Sequence, residues 1–182
     1  MGNQVPLAVL GGSGVYGLEG LEEIQEHFPE TPFGKPSDTI LLGKLNGVGV
    51  AFLPRHGRNH IYTPSEVPYR ANLFALRALG VQRVLSVSAV GSLAEDCAPG
   101  DFVLVDQFVD RSLRRGTTFF GEGIAAHVPF GDPVCSATAA VIGAVAGELA
   151  VNIHFGGTYL CIEGPQFSTR AESELYRGMG AT

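Results

Sequence analysis

The sequence predicts an α/β fold in which a mixed central sheet is flanked by helices. Aliphatic or β-branched runs recur at residues 5–10, 48–53 and 102–106, the signature of buried strands, and a further strand is read at 81–87. They alternate with stretches that carry apolar residues at helical spacing. Asn46-Gly47 joins the runs 39–45 and 48–53, and this dipeptide is the strongest short-range signal for an antiparallel hairpin.

Taken in order, residues 5–10 run into Gly11-Gly12-Ser13-Gly14, a strand opening into a tight loop. Pro29, Pro32 and Pro36 then interrupt any helix. The hairpin follows, and its second strand leads into Pro54-Arg55-His56-Gly57-Arg58-Asn59-His60. Across 65–79, Val67, Ala71, Phe74, Ala75 and Ala78 recur at spacings of three and four, and Gly80 stops the helix. A strand at 81–87 gives way to Ser88-Ala89-Val90-Gly91-Ser92. Pro99-Gly100-Asp101 turns the chain into the strand 102–106, and residues 107–135 read as irregular, with a basic RSLRR cluster. A stretch of that length inside a compact domain is usually functional or part of an interface. An alanine-rich helix capped by Ser136 covers 136–149, and a strand covers 154–162. Thr169-Arg170-Ala171-Glu172 is a capping box that starts a last helix toward Gly178.

The chain has 182 residues, 45% hydrophobic and 16% charged, which fits one globular domain with a sizeable core. A net charge of −6 excludes the basic footprint of a nucleic-acid protein, so any anion site must be local. Cys97, Cys135 and Cys161 are odd in number and widely spaced, a pattern suited to a reducing cytosol rather than a disulfide framework. The amino terminus has no basic region ahead of its apolar stretch, Pro6 breaks a myristoylation pattern, and no run is long enough to cross a bilayer. The expectation is a soluble, cytoplasmic protein with no membrane partner.

Four stretches carry candidate chemistry. Residues 12–17 form a GxGxxG after a strand, but a dinucleotide site needs a continuous helix next and an acid ending the second strand. Prolines and Lys44-Leu45-Asn46 stand there instead. The alternatives are a plain turn, or a nest of backbone N–H groups with the Ser13 hydroxyl that cradles an oxyanion. Arg55 and His56 follow a buried strand directly. Arginine grips phosphate bidentately and histidine adds a charged hydrogen bond, which favours anion binding over a solvated loop. His56 and His60 are four apart, but Pro54 and Gly57 oppose a helix and no carboxylate or cysteine adjoins them, so no metal is expected. Ser88 and Ala89 allow close backbone approach or form an ordinary turn. Phe167, in Glu163-Gly164-Pro165-Gln166-Phe167-Ser168-Thr169, is either core or a platform for a flat ring.

Together, GGSG, TPFGKPSD at 31–38, RHGRNH with PSEVPYRAN, SAVGSL, PGDFVLVDQFVDR and EGPQFSTRAES occur in an order that resembles purine nucleoside phosphorylases. The resemblance is closer to the methylthioadenosine phosphorylase branch and covers nearly the whole chain. It implies a nucleoside phosphorylase-like fold and phosphorolysis of a purine nucleoside, foremost 5′-methylthioadenosine. Inorganic phosphate would be co-substrate, with no metal or organic cofactor, in a cytoplasmic homotrimer. By the same resemblance Ser13, Arg55, His56, Ser88 and the amide of Ala89 surround phosphate, and Phe167 packs on the nucleoside. Ser168 stands where relatives specific for 6-oxopurines carry glutamate, and His127 reaches the sugar's 5′ side in a neighbouring subunit. Family chains continue beyond the helix near Gly178 and carry there an Asn-Met-Thr segment for sugar and phosphate and an Asp-Tyr-Asp-like segment for the purine. Neither occurs here, so the expectation for 1–182 is a single, incomplete domain with no catalytic acid identified and little activity by itself. Rival readings are a methylthioinosine or inosine phosphorylase, a non-catalytic phosphate-binding or interaction subunit, and a nicotinamide oxidoreductase.

Overall fold

The computed structural model describes residues 5–149 and 151–182; part of the amino-terminal reading, at 1–4, lies outside them. The chain forms two compact units, one of residues up to 90 with Arg115–Phe119, the other of Gly91–Arg114 with Phe120–Thr182.

The first unit is built on five strands: β1 (Leu7–Gly11), β2 (Glu22–His27), β3 (Ile40–Leu45), β4 (Val48–Pro54) and β5 (Arg83–Val87). Their order is β2-β3-β4-β1-β5. β2, β3 and β4 pair antiparallel, and β1 runs parallel to both β4 and β5, so the sheet is mixed as expected. Asn46 and Gly47 hold positive φ, 49° and 79°, as a two-residue type I′ hairpin turn requires. Val50, Ala51, Phe52 and Leu53 of β4 are all buried, because β4 is flanked on both edges and covered on its faces. Each such large side chain contributes about 1.5–3 kcal/mol relative to exposure.

Helix α1 (Tyr69–Ala78) connects β4 to β5. Its Ala75 and Leu76 join Ala8, Leu10, Ala51, Leu53 and Val81 in one core cluster. The helix starts later than its periodicity predicts, since Val67 precedes a proline and is biased out of helical geometry. It ends as predicted at Gly80, φ 89°, whose N–H donates to the Arg77 carbonyl while that of Val81 donates to Leu76, a Schellman closure. β2, with the sequence Glu-Glu-Ile-Gln-Glu-His, was not expected; it is an exposed edge strand whose charges mask the strand signal while guarding the edge.

The second unit contains β6 (Phe102–Leu104), β7 (Gln107–Asp110), β8 (Ile153–Phe155), β9 (Thr158–Cys161), α2 (Ser136–Glu148) and α3 (Arg170–Gly178). β6 pairs with β8 and β7 with β9, both parallel. The strand expected at 154–162 is two strands, broken where Gly156 and Gly157 take φ of 79° and 135°. β7 lies inside the stretch read as irregular. Cys135, not Ser136, occupies the N-cap of α2, with no side-chain cap bond. At α3 the predicted capping box is complete, the Thr169 and Glu172 side chains each bonding the other's backbone N–H. Among the described residues no helix is long and apolar enough to cross a membrane.

Candidate anion site

Three parallel strands deliver the candidate residues to one place. Gly11 of β1 lies in register with Pro54 of β4 and with Val87 of β5, so the residues that follow emerge side by side. The pairing continues one step further: Gly12 N–H donates to the Val87 carbonyl at 2.7 Å, and Arg55 N–H to Gly11 at 2.8 Å. The chain leaves β1 for the far edge at β2 and then returns through β3 and β4 past β1 to β5, so the strand order reverses at β1, and the crevice outside such strand ends is where open α/β sheets bind ligands.

Gly12 permits this convergence. A Cβ there would lie 2.5 Å from the Val87 carbonyl oxygen and 2.8 Å from Nη2 of Arg55. Ser13 follows at an exposed turn closed by Val15 N–H to the Gly12 carbonyl at 3.0 Å. Arg55 is half-buried, and its Nη1 donates to Ser88 Oγ at 2.6 Å. Its Nε makes a long hydrogen bond, 3.4 Å, to Nε2 of the adjoining His56. Ala89 is exposed directly after Ser88. Ser13, Arg55, His56, Ser88 and Ala89 therefore meet at one end of the sheet.

His56 is buried, and its Nδ1 lies 2.9 Å from the Tyr62 carbonyl. A carbonyl only accepts, so Nδ1 carries the proton and Nε2 presents its lone pair toward Arg55. Burial, and then the positive charges of Arg55, His60 and Arg115, push the His56 pKa below its ordinary value of 6.5, against the opposing pull of the Tyr62 carbonyl. The cluster thus sets arginine charge beside an imidazole that resists protonation. An anion placed there would offset that charge and favour His56 protonation.

Two residues behave differently from the sequence pattern. Arg58, the second arginine of RHGR, pairs with Asp38 at 3.1 Å and lies 3.7 Å from Glu26. Its charge is committed to holding the 31–38 segment. That segment is fastened again by Ser37, whose N–H donates to Asn72 Oδ1 and whose Oγ donates to the Pro54 carbonyl, both at 2.8 Å. Arg115, which sequence reasoning passed over, stacks its guanidinium over Tyr69 at 5.5 Å and contributes to the field at His56; its signal was the RSLRR cluster.

Phe167, Ser168 and His127 belong to the second unit. Phe167 is 92% exposed, Ser168 Oγ lies 2.7 Å from Ser173 Oγ, and His127 is exposed in the irregular stretch. Glu163 accepts the N–H groups of Leu113 and Arg114, so its carboxylate anchors the RSLRR loop. The dinucleotide reading lacks its seat, because β1 leads through a turn to edge strand β2 and not into a helix.

The family model of the phosphorylase superfamily matches residues 6–182. The chain belongs to the phosphorylase superfamily. Among curated relatives, it is 56% identical over 174 residues to the S-methyl-5′-thioadenosine phosphorylase of Cereibacter sphaeroides, covering 96% of this chain and 60% of that one. To the enzyme of the same name from Geobacter sulfurreducens it is 52% identical over 177 residues, 97% of this chain and 62% of that one. The chain thus spans about 60% of the length of these relatives. A methylthioadenosine phosphorylase from an antarctic soil metagenomic library superposes with a TM-score of 0.94 at 51% identity, over 99% of this chain and 64% of that one. Methylthioadenosine phosphorylase from Schistosoma mansoni in complex with adenine gives 0.93 at 36% identity, over 97% and 72%. The resemblance read from the motifs is therefore borne out for this phosphorylase superfamily chain, as is its mixed α/β fold.

Proposed function

We propose that this chain provides the phosphate side of a nucleoside phosphorylase acting on a purine nucleoside, foremost 5′-methylthioadenosine. The products are free purine and 5-methylthioribose 1-phosphate. The observation that carries the reading is the convergence of Arg55, His56 and Ser88 with Ser13 at the ends of three parallel strands, in a chain whose relatives bear the methylthioadenosine phosphorylase name.

Inorganic phosphate held by Arg55 and His56 is the nucleophile. It attacks the anomeric carbon, the glycosidic C–N bond breaks, and its electron pair moves onto the purine. Fixing the dianion beside the sugar lowers the entropic barrier and stabilises the oxocarbenium-like transition state. Ser13 and the Ala89 amide complete the phosphate cradle, Phe167 and Ser168 line the nucleoside, and His127 serves a neighbouring subunit of a cytoplasmic homotrimer in purine salvage. The leaving purine needs a proton, and no residue of this chain is assigned to give it.

Product analysis tests the reading. Methylthioadenosine is incubated with and without inorganic phosphate, and adenine and methylthioribose 1-phosphate are quantified. Equal amounts of both, and neither without phosphate, are expected. Adenine released with free methylthioribose in the absence of phosphate would contradict phosphorolysis.

A further inference from the structure

His60 is left over once the anion cluster is assembled, yet its backbone is among the most constrained in the first unit. Asn59 and His60 both take positive φ, 64° and 57°, a left-handed conformation uncommon for residues with side chains. Gly57, at 74°, precedes them, and a Cβ there would come within 3.0 Å of the Ser37 carbonyl oxygen. Reciprocal bonds close the loop: Tyr62 N–H donates to the His56 carbonyl at 3.1 Å, and His56 Nδ1 donates to that of Tyr62 at 2.9 Å. This backbone lays the His60 imidazole flat against that of His56, with centroids 4.3 Å apart and planes 7° from parallel. On its free edge, Nδ1 of His60 lies 3.3 Å from the Tyr16 hydroxyl. The loop after β1 is thereby tied to the loop after β4. Strain of this kind persists where surrounding structure enforces it for a purpose.

We infer that His60 is a positioning residue: its ring, stacked flat on His56, clamps that imidazole in the one orientation that keeps Nδ1 on the Tyr62 carbonyl and Nε2 beside Arg55. The inference rests on the anion reading above and adds the part that orients the imidazole. The ionisable groups whose charge acts on His56 are Arg55 from the end of β4, Arg115 from the 115–119 segment, and His60. Charge on the stacked His60 ring opposes protonation of His56, and a bound anion favours it.

The test is nitrogen-detected NMR of the histidine rings in the full 182-residue chain, with inorganic phosphate as the titrant. His60→Phe keeps a flat ring without a proton. His60→Asn removes the ring while tolerating the left-handed backbone. The unaltered chain is expected to show His56 as a single Nδ1–H tautomer. His60→Phe preserves that tautomer and binds phosphate nearly as well, with the His56 titration midpoint moved up because a neighbouring charge is gone. His60→Asn gives mixed tautomers and about tenfold weaker phosphate binding, the scale seen when the partner that orients a ligating histidine is lost. An unchanged tautomer and affinity in His60→Asn, or equal damage in both variants, overturns the clamp. Phosphate that moves no ring signal in the unaltered chain overturns the anion reading instead, and the phosphate-free tautomer comparison then still decides the role of His60.

Discussion

At the scale of single residues, His56 links the proposed anion site to stability. Its pKa lies below the ordinary 6.5, so between that lowered value and 6.5 the unfolded chain binds more protons than the folded one. Stability therefore contains a contribution that is complete above about pH 6.5 and lost as the pH falls through the folded value. Thermal melts in chloride should show the midpoint falling as the pH drops below about 6.5. Sulfate, which does not titrate there, should restore it by raising the folded value, and His56→Gln should flatten the step. A chloride profile identical in His56→Gln and the unaltered chain would remove His56 as its source. Arg55, His56 and Ser88 were legible in the sequence because each follows directly on an aliphatic run. The fate of Arg58 was not, since its partner Asp38 stands 20 residues earlier and only the fold brings the two together.

At the scale of elements, the proposed site depends on three strand ends lying close enough for side chains to interlock. Gly12→Ala tests that closeness. The added methyl would meet the Val87 carbonyl oxygen at 2.5 Å and Nη2 of Arg55 at 2.8 Å, so β1 and β5 must separate or Arg55 must move. A loss of about 1–3 kcal/mol in urea unfolding is expected, the range for overpacking a tight contact, together with weakened phosphate binding. Full retention of both would show that the strand ends have slack. β1 and β4 were readable because they are aliphatic and largely buried, β5 by its valines and leucine although it is mostly exposed, and the hairpin was announced by Asn46-Gly47. Strand β2 was hidden by its glutamates, whose burial pattern is that of an exposed edge. The break at Gly156-Gly157 was hidden because glycine inside an apolar run reads equally as a weak strand residue. The α2 cap went to Cys135 because backbone geometry, not side-chain capping chemistry, begins that helix.

At the scale of the whole chain, apolar surface dominates the second unit. Helix α2 is apolar almost throughout, yet Ala146 is its one buried residue among those described, and Val141 and Val145 are 64% and 46% exposed. Phe102 and Phe155 are exposed as well. Helices apolar on all sides are normally buried, and exposed patches of this kind drive association. Sedimentation velocity at micromolar concentration should show concentration-dependent association of the 182-residue chain, reduced by the pair Val141→Glu and Val145→Glu. A monodisperse monomer across the range would count against it.

The central claim is that Arg55, His56, Ser13 and Ser88 form a phosphate site, and calorimetric titration of inorganic phosphate tests it most directly. One saturable site on the unaltered chain is predicted, competed by sulfate. Arg55→Ala should weaken it by about 1.5–3 kcal/mol, the worth of a charged hydrogen bond, which is a tenfold loss or more. No binding by the unaltered chain, or equal affinity after Arg55→Ala, would contradict it.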